Sequence, residues 1–231
     1  MKRLKVNIIL MDVDGTMTDV GGKRKTMALT PLEHLVRLVM EQYSIEADEA
    51  ERKNRACGDP NLHCLSEFLP VLGIDEEQYF LSLKNDLADY ISIPADTVAF
   101  LRAMKEKKIP VCMATTNSLF MGLAKLAVGG IADRNGSEFI TRCHPGNEFL
   151  DPLGKFSGNY YSNILRKYNY PPDMTMMIGD EPEYDLYPAL KAGIRYGVII
   201  RRNQKESILQ KERGIFINSL EVLTSMIRKG A

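Results

Sequence analysis

The sequence has no excess of either charge. Its 30 basic side chains match its 30 acidic ones, which leaves no electrostatic footprint for a nucleic acid or an acidic membrane surface. No run reaches about eighteen consecutive apolar residues, so no transmembrane helix is expected. The four cysteines, Cys57, Cys64, Cys112 and Cys143, form no CxxC pair and no zinc-ligand spacing. Reduced thiols of a cytoplasmic protein are the expectation. The opening MKRLKVNIILMD has the outline of a secretory signal, but its apolar run lasts only about six residues before Asp12, too short for the apolar region of one. Internal repeats and low-complexity tracts are also missing.

What is present suits a folded chain. With 231 residues, 45% of them hydrophobic and 26% charged, it can bury one core with a large insertion, or two modest cores. Two local basic runs, Lys23 to Lys25 and Arg201 to Arg213, read first as solvated surface, with attraction of an anionic substrate as the competing role.

Pattern along the chain divides it in three. VNIILM reads as a fully buried strand closed by a turn at Asp14 and Gly15. The next stretch of about ninety residues reads as helical and without strands. Thr30, Pro31 and Glu33 make a capping box with proline at the first helical position, and Leu32, Leu35, Val36 and Val39 form one apolar face. Gly58, Asp59 and Pro60 break the pattern, a shorter helical segment is expected from Leu62 to Val71, and Asp75 caps a third helix carrying Tyr79, Phe80, Leu83 and Leu87. From Pro94 onward helices alternate with the apolar segments IPVCMAT, SEFIT, MTMMIGD, YGVII and GIFIN, and a helix from Leu220 to Arg228 ends the series. That rhythm implies a Rossmann-like α/β core, a parallel sheet with helices on both faces, plus a mainly α-helical cap inserted after the first strand. The expected division is residues 1–17 and 96–231 for the core and 18–95 for the cap, with hinges near Gly21-Gly22 and Pro94.

Three apolar segments end in side chains able to do chemistry: Asp12 with Asp14, Thr115, and Asp180. Ligands bind outside the carboxyl ends of strands in an open parallel sheet, so these residues converge if their strands are neighbours. Carboxylates so close raise one another's pKa unless a hard cation neutralises them. Magnesium suits such a pocket because it takes few carboxylates, keeps waters and shares phosphate oxygens.

These motifs resemble those of the haloacid dehalogenase-like superfamily, whose members are mostly magnesium-dependent phosphatases. DVDGT at 12–16 is similar to its first motif, VCMAT ending at Thr115 to its second, the lone Lys155 to its third, and MMIGDEPEYD, with Asp180 and Asp185, to its fourth. Together they frame almost the whole chain outside the helical insertion. The resemblance implies that Asp12 attacks phosphorus to form an aspartyl-phosphate and that Asp14 protonates the leaving alcohol and then deprotonates water. It implies that Thr115 and Lys155 hold the equatorial oxygens, and that Mg2+ is bound by Asp12, Asp180 and the backbone carbonyl of Asp14. Gly15 would allow close approach to the phosphoryl group, and Asp185 would bind a metal water or orient Lys155.

Several positions depart from the pattern or stay open. Thr116 competes with Thr115. Phenylalanine follows Lys155 where proline is usual, and Asp185 lies five positions after Asp180 rather than four, so Glu183 competes with it. Asn117 either touches substrate or caps the turn before the next helix. Glu181 either caps its loop or adds a ligand. His63, with Asn54, Arg55 and Asn61, either reads the leaving group or belongs to solvated helix ends. Tyr160 and Tyr161 read as packing residues, and Met11, Met113, Met176 and Met177 as strand core. The expected activity is hydrolysis of a small phosphorylated metabolite, without nucleic acid or membrane. Transfer to a sugar hydroxyl, or binding without catalysis, are alternatives. Dehalogenation has no use for Asp14, and phosphonate cleavage needs an imine-forming lysine in the insertion, where Lys53 and Lys84 are the candidates. Oligomeric state is not readable from the sequence.

Overall fold

The computed structural model describes residues 3–60, 63–146, 154–156, 158–211 and 214–230. Two strands open it, β1 at Leu4–Val6 and β2 at Ile8–Met11, and β3 at Asp19–Val20 follows. The helical stretch holds α1 (Pro31–Tyr43), α2 (Ala47–Cys57) and α3 (Glu76–Ala88), closed by β4 (Ile91–Ser92). Then come α4 (Ala95–Glu106), β5 (Val111–Ala114), α5 (Leu119–Ala127), β6 (Ile140–His144), α6 (Tyr160–Tyr168), β7 (Thr175–Gly179), α7 (Tyr187–Lys191) and β8 (Tyr196–Ile200). A hairpin of β9 (Ile208–Lys211) and β10 (Gly214–Ile217), then α8 (Leu220–Met226) and β11 (Ile227–Lys229), complete the order.

Seven strands form the main sheet in the order β6-β5-β2-β7-β8-β10-β9. Its described pairings are parallel except for β9, which runs antiparallel to β10 at the edge. Alternation along β2 shows why helices cover both faces. Ile9 and Met11 pack in one cluster with Phe100, Leu101 and Met104 of α4 and Leu220 and Leu223 of α8. Ile8 and Leu10 pack in another with Tyr160, Tyr161, Ile164 and Leu165 of α6. A side-chain period of two, with both faces apolar, requires a buried central strand. All four methionines expected in the strands are fully buried.

The capping box at Thr30 forms as expected: Thr30 Oγ1 accepts from the Glu33 amide at 3.3 Å, and a Glu33 carboxylate oxygen accepts from the Thr30 amide at 2.6 Å. Asp75 caps α3 through the Gln78 amide at 2.8 Å. Leu35, Val39, Phe68, Leu69, Tyr79, Leu83 and Leu87 form an apolar cluster that extends onto Leu123, Ala124 and Ala127 of α5, while Leu126 of α5 joins the sheet cluster. Helix α5 therefore carries the helical block on one side and the sheet on the other.

Three sequence expectations are corrected here. The helical pattern before Gly58 is split at Ser44, whose left-handed backbone (φ 51°) ends α1. Leu62 lies outside the described residues, and among the described ones up to Val71 there is, in place of the expected helix, one short 3-10 turn at Leu65–Glu67, with Pro70 interrupting the segment. The stretch thought to lack strands contains β3 and β4, which pair antiparallel through Asp19 with Ser92 and Val20 with Ile91. Two residues each are too few to leave an alternation pattern. The basic run after Arg201 contains the mostly exposed edge strand β9, in keeping with the surface expected for it. Among the described residues no helix is long and apolar enough to cross a membrane.

Candidate active site

The order β5-β2-β7 makes the three motif-bearing strands neighbours, so their carboxyl ends open onto one crevice. The Asp12 amide donates to the Ile178 carbonyl at 2.9 Å, continuing the ladder past the end of β2. The chain then winds into an irregular turn at Val13–Met17, in which Gly15 takes a positive φ of 66°. A side chain at Gly15 would collide with the Asp180 carboxylate. Glycine is needed there for its backbone and because the first and fourth motifs touch.

Lys155 is buried between two acids. Its ammonium lies 2.5 Å from Asp12 Oδ1 and 2.7 Å from Asp185 Oδ1. Burial works against the ammonium, but Asp12 and Asp185 outweigh it and hold the lysine above its ordinary range. The second oxygen of Asp185 accepts from the amides of Asp180 and Glu181, each at 3.1 Å, and the Tyr161 hydroxyl lies 3.3 Å from Oδ1. Asp185 is buried and Glu183 exposed, so the geometry answers which acid faces the site. Glu181 is exposed too.

Asp12, Asp180 and Asp185 each offer an oxygen within 4.8 Å of the others. Burial pushes Asp12 up to about 7, with Lys155 opposing and Asp185 adding to the rise. Burial, Asp185 and Glu181 push Asp180 up to about 6. Three carboxylates face one ammonium, which leaves two negative charges when all are ionised. An all-oxygen cluster with that deficit fits a hard divalent cation.

Asp14 faces another way. Both its oxygens meet the Lys125 ammonium, at 2.7 and 2.8 Å, and Asn117 Nδ2 donates to it at 2.8 Å. Although its side chain is half exposed, partial desolvation in the crevice would raise its pKa, but the Lys125 charge and these hydrogen bonds hold it below the usual carboxylate range. Asn117 also donates to Thr115 Oγ1 at 2.7 Å and accepts from Lys125 at 2.8 Å. Ser118, not Asn117, caps α5. Thr115 is buried with its hydroxyl engaged by Asn117, whereas Thr116 is exposed and lines the acidic cavity of about 370 Å³ with Asp12, Asp14, Gly15, Lys155 and Asp180.

A second cavity of about 470 Å³ shares Thr116 and Phe156 with it and is also lined by Pro60 and His63. Of the described loop residues suspected of facing substrate, only His63 reaches it. Asn54 is buried and donates to the Ala50 carbonyl at 3.0 Å, Arg55 pairs with Glu51, and Asn61 lies outside the described residues. Neither Lys53 nor Lys84 lines either cavity.

Two contributors to the site were not legible in the sequence. Lys125 is the single charged residue of LFMGLAKLA, and a lone lysine on an apolar helix was the available signal. Arg202, assigned to solvated surface, donates to the carbonyls of Gly15 at 3.1 Å and Thr16 at 2.8 Å and so ties down the first motif. Arg24, in the other basic run, pairs with buried Asp86. Tyr161 does pack in the core, yet its hydroxyl also reaches Asp185.

A family model described as haloacid dehalogenase-like hydrolase matches residues 6–193. The chain belongs to the haloacid dehalogenase-like hydrolases. Among solved structures, the chain is similar to a haloacid dehalogenase-like phosphatase from Thermococcus onnurineus (17% identity, TM-score 0.55, 97% of each chain covered). It is similar also to CbbY from Rhodobacter sphaeroides in complex with phosphate (18% identity, TM-score 0.54, 94% of this chain and 96% of that one). A CbbY mutant in complex with xylulose-(1,5)bisphosphate gives 17% identity and a TM-score of 0.52, over 93% of this chain and 95% of that one. These likenesses concern the fold of a haloacid dehalogenase-like hydrolase. No curated protein matches by sequence.

Proposed function

We propose that this hydrolase is a magnesium-dependent phosphatase that cleaves a small phosphorylated metabolite through an aspartyl-phosphate on Asp12. The observation that carries the proposal is the placement of Asp12 at the end of β2, against the Lys155 ammonium and within the cluster of Asp180 and Asp185. Phosphorylated ligands in structural relatives such as CbbY support the substrate class.

Asp12, Asp180 and the Asp14 carbonyl would hold magnesium, which supplies positive charge beside the phosphoryl oxygens. An Asp12 oxygen attacks phosphorus as the bond to the alcohol oxygen breaks; with Lys155 and a cation beside it to offset its burial, the carboxylate would be ionised and need no base. Asp14 gives a proton to the departing oxygen, then takes one from the water that attacks the aspartyl-phosphate. The contact with Lys125 favours ionised Asp14, the form suited to the second step. Lys155 stabilises charge on the equatorial oxygens, held in place by Asp185. Thr115 or Thr116 donates a hydroxyl to the same oxygens. Thr116 has the better access, and Thr115 is set by Asn117. Residues 18–95 form the cap and 1–17 with 96–231 the catalytic core in this proposal, with the β3–β4 pair joining them.

Release of phosphate from an aryl phosphate, dependent on magnesium and lost in Asp12→Asn, is the expected result. Wild-type rates in Asp12→Asn would overturn it. Release that required an added sugar acceptor would favour transfer instead.

A further inference from the structure

We propose, resting on the phosphatase reading above, that the second cavity selects a phosphate monoester of an uncharged, largely apolar alcohol, with Phe156 as a specificity-determining residue. The cavity adjoins the acidic one through Thr116 and Phe156, so an alcohol bonded to a phosphoryl group at Asp12 extends into it. Its volume, about 470 Å³, falls within the range of small-molecule sites.

The chemistry of the walls separates it from the acidic cavity. Leu65, Leu83, Phe120 and Met121 line it, and no lysine, arginine, aspartate or glutamate does so among the described residues. Phe120 stacks on Tyr79 at 5.4 Å between ring centroids and meets Phe80 edge-on at 5.3 Å, giving one rigid aromatic wall. Three of the polar side chains of the lining are already engaged by protein. The Tyr79 hydroxyl donates to the Pro31 carbonyl at 3.0 Å, Ser118 Oγ accepts from the Met121 amide at 3.3 Å, and the Asn117 amide serves Asp14, Thr115 and Lys125.

A polyhydroxylated alcohol would bury several donors and acceptors here against few partners, and each unpaired group weakens binding. A second phosphate or a carboxylate would meet no lysine or arginine among the described lining residues, and the His63 ring there already faces Glu67 at 3.5 Å. An apolar or aromatic body meets neither obstacle and gains from leaving water.

Phe156 points to the same ligand. It follows Lys155 directly, stays 66% exposed, packs edge-on against Tyr184 at 5.0 Å and stands where both cavities meet. A large aromatic side chain left in water there has no core to serve, while a bound apolar alcohol would cover it.

The test compares kcat/KM of the full chain with magnesium for phenethyl phosphate, glycerol phosphate and a hexose bisphosphate. All are alkyl esters, so the comparison reports recognition more than leaving-group chemistry. Phenethyl phosphate is expected to lead by about tenfold or more, through KM. Phe156→Ala should collapse that preference by several-fold through KM, and Phe156→Leu should retain most of it. Because the side chain is exposed, folding is not at stake, and a circular-dichroism melt checks this. Equal or better use of either hydroxylated ester, or an unmoved preference in Phe156→Ala, overturns the inference alone. No release from any ester, a nitrophenyl phosphate included, overturns the phosphatase proposal and this one with it.

Discussion

Magnesium should stabilise this protein at pH 8 and hardly at pH 5, because protons and metal compete for the same buried carboxylates. At a magnesium concentration about a hundredfold above its dissociation constant at pH 8, binding to the folded state alone adds about 2.7 kcal/mol. For a chain of 231 residues, each kcal/mol moves Tm by about 2–4 °C, so a rise of about 5–11 °C is expected. At pH 5, Asp12, pushed up to about 7, and Asp180, pushed up to about 6, are both largely protonated. Their protonation weakens apparent affinity by factors of about 100 and about 10, together on the order of a thousandfold. The same magnesium concentration then adds less than about 0.1 kcal/mol, under half a degree. Without magnesium the sign reverses. A carboxylate whose pKa is raised by folding stabilises the fold at low pH, and that contribution is lost as pH rises from about 4 toward 7. Circular-dichroism melts of wild type and Asp180→Asn, with and without magnesium at the two pH values, measure both effects. An equal magnesium shift at pH 5 and pH 8, or a wild-type shift in Asp180→Asn, would refute the assignment of these acids to a metal.

Lys125→Met should raise the pKa of Asp14, since the charge that does most to hold it down is removed. The acid limb of the kcat profile, where Asp14 must be ionised to activate water, moves to higher pH; an unmoved limb would contradict the role given to Lys125. Asp86→Ala should destabilise the helical block by about 3 kcal/mol in urea unfolding, because buried His34, the Ala28 and Leu29 amides and Arg24 all lose their acceptor. Asp86 is held below the usual carboxylate range, burial being outweighed by those partners. Its contribution should therefore persist through neutral pH and fade only as acid protonates it, and a variant as stable as wild type at pH 7 would count against this.

How much of this could be read from residues depended on scale. Asp12, Asp180 and the strands before them were legible because fully apolar segments ending in acids leave a one-dimensional pattern, and parallel topology converts that pattern into a shared crevice. Buried Lys155 and Asp185 were legible as a motif, but the choice between Asp185 and Glu183 required the turn that follows β7 to put one acid inside and the other out. Lys125 and Arg202 were not legible as site residues. Each reaches the first motif from over a hundred positions away, and nothing local to a lysine on α5 or an arginine after β8 says which loop it meets. The two-residue strands β3 and β4 were hidden because their pairing is tertiary. Ser44 ended a helix in a left-handed conformation that serine adopts without advertising it.

The most direct measurement of the mechanism is chemical capture of its intermediate. Wild type is mixed with magnesium and an aryl phosphate, quenched in acid during turnover, reduced with borohydride and digested for mass spectrometry. An aspartyl-phosphate on Asp12 is reduced to homoserine, so the peptide spanning residues 7–19 should carry homoserine at position 12, with Asp14, Asp180 and Asp185 unchanged. Homoserine at another of these positions, or an unmodified Asp12 during demonstrable turnover, would contradict the assignment of Asp12 as the nucleophile.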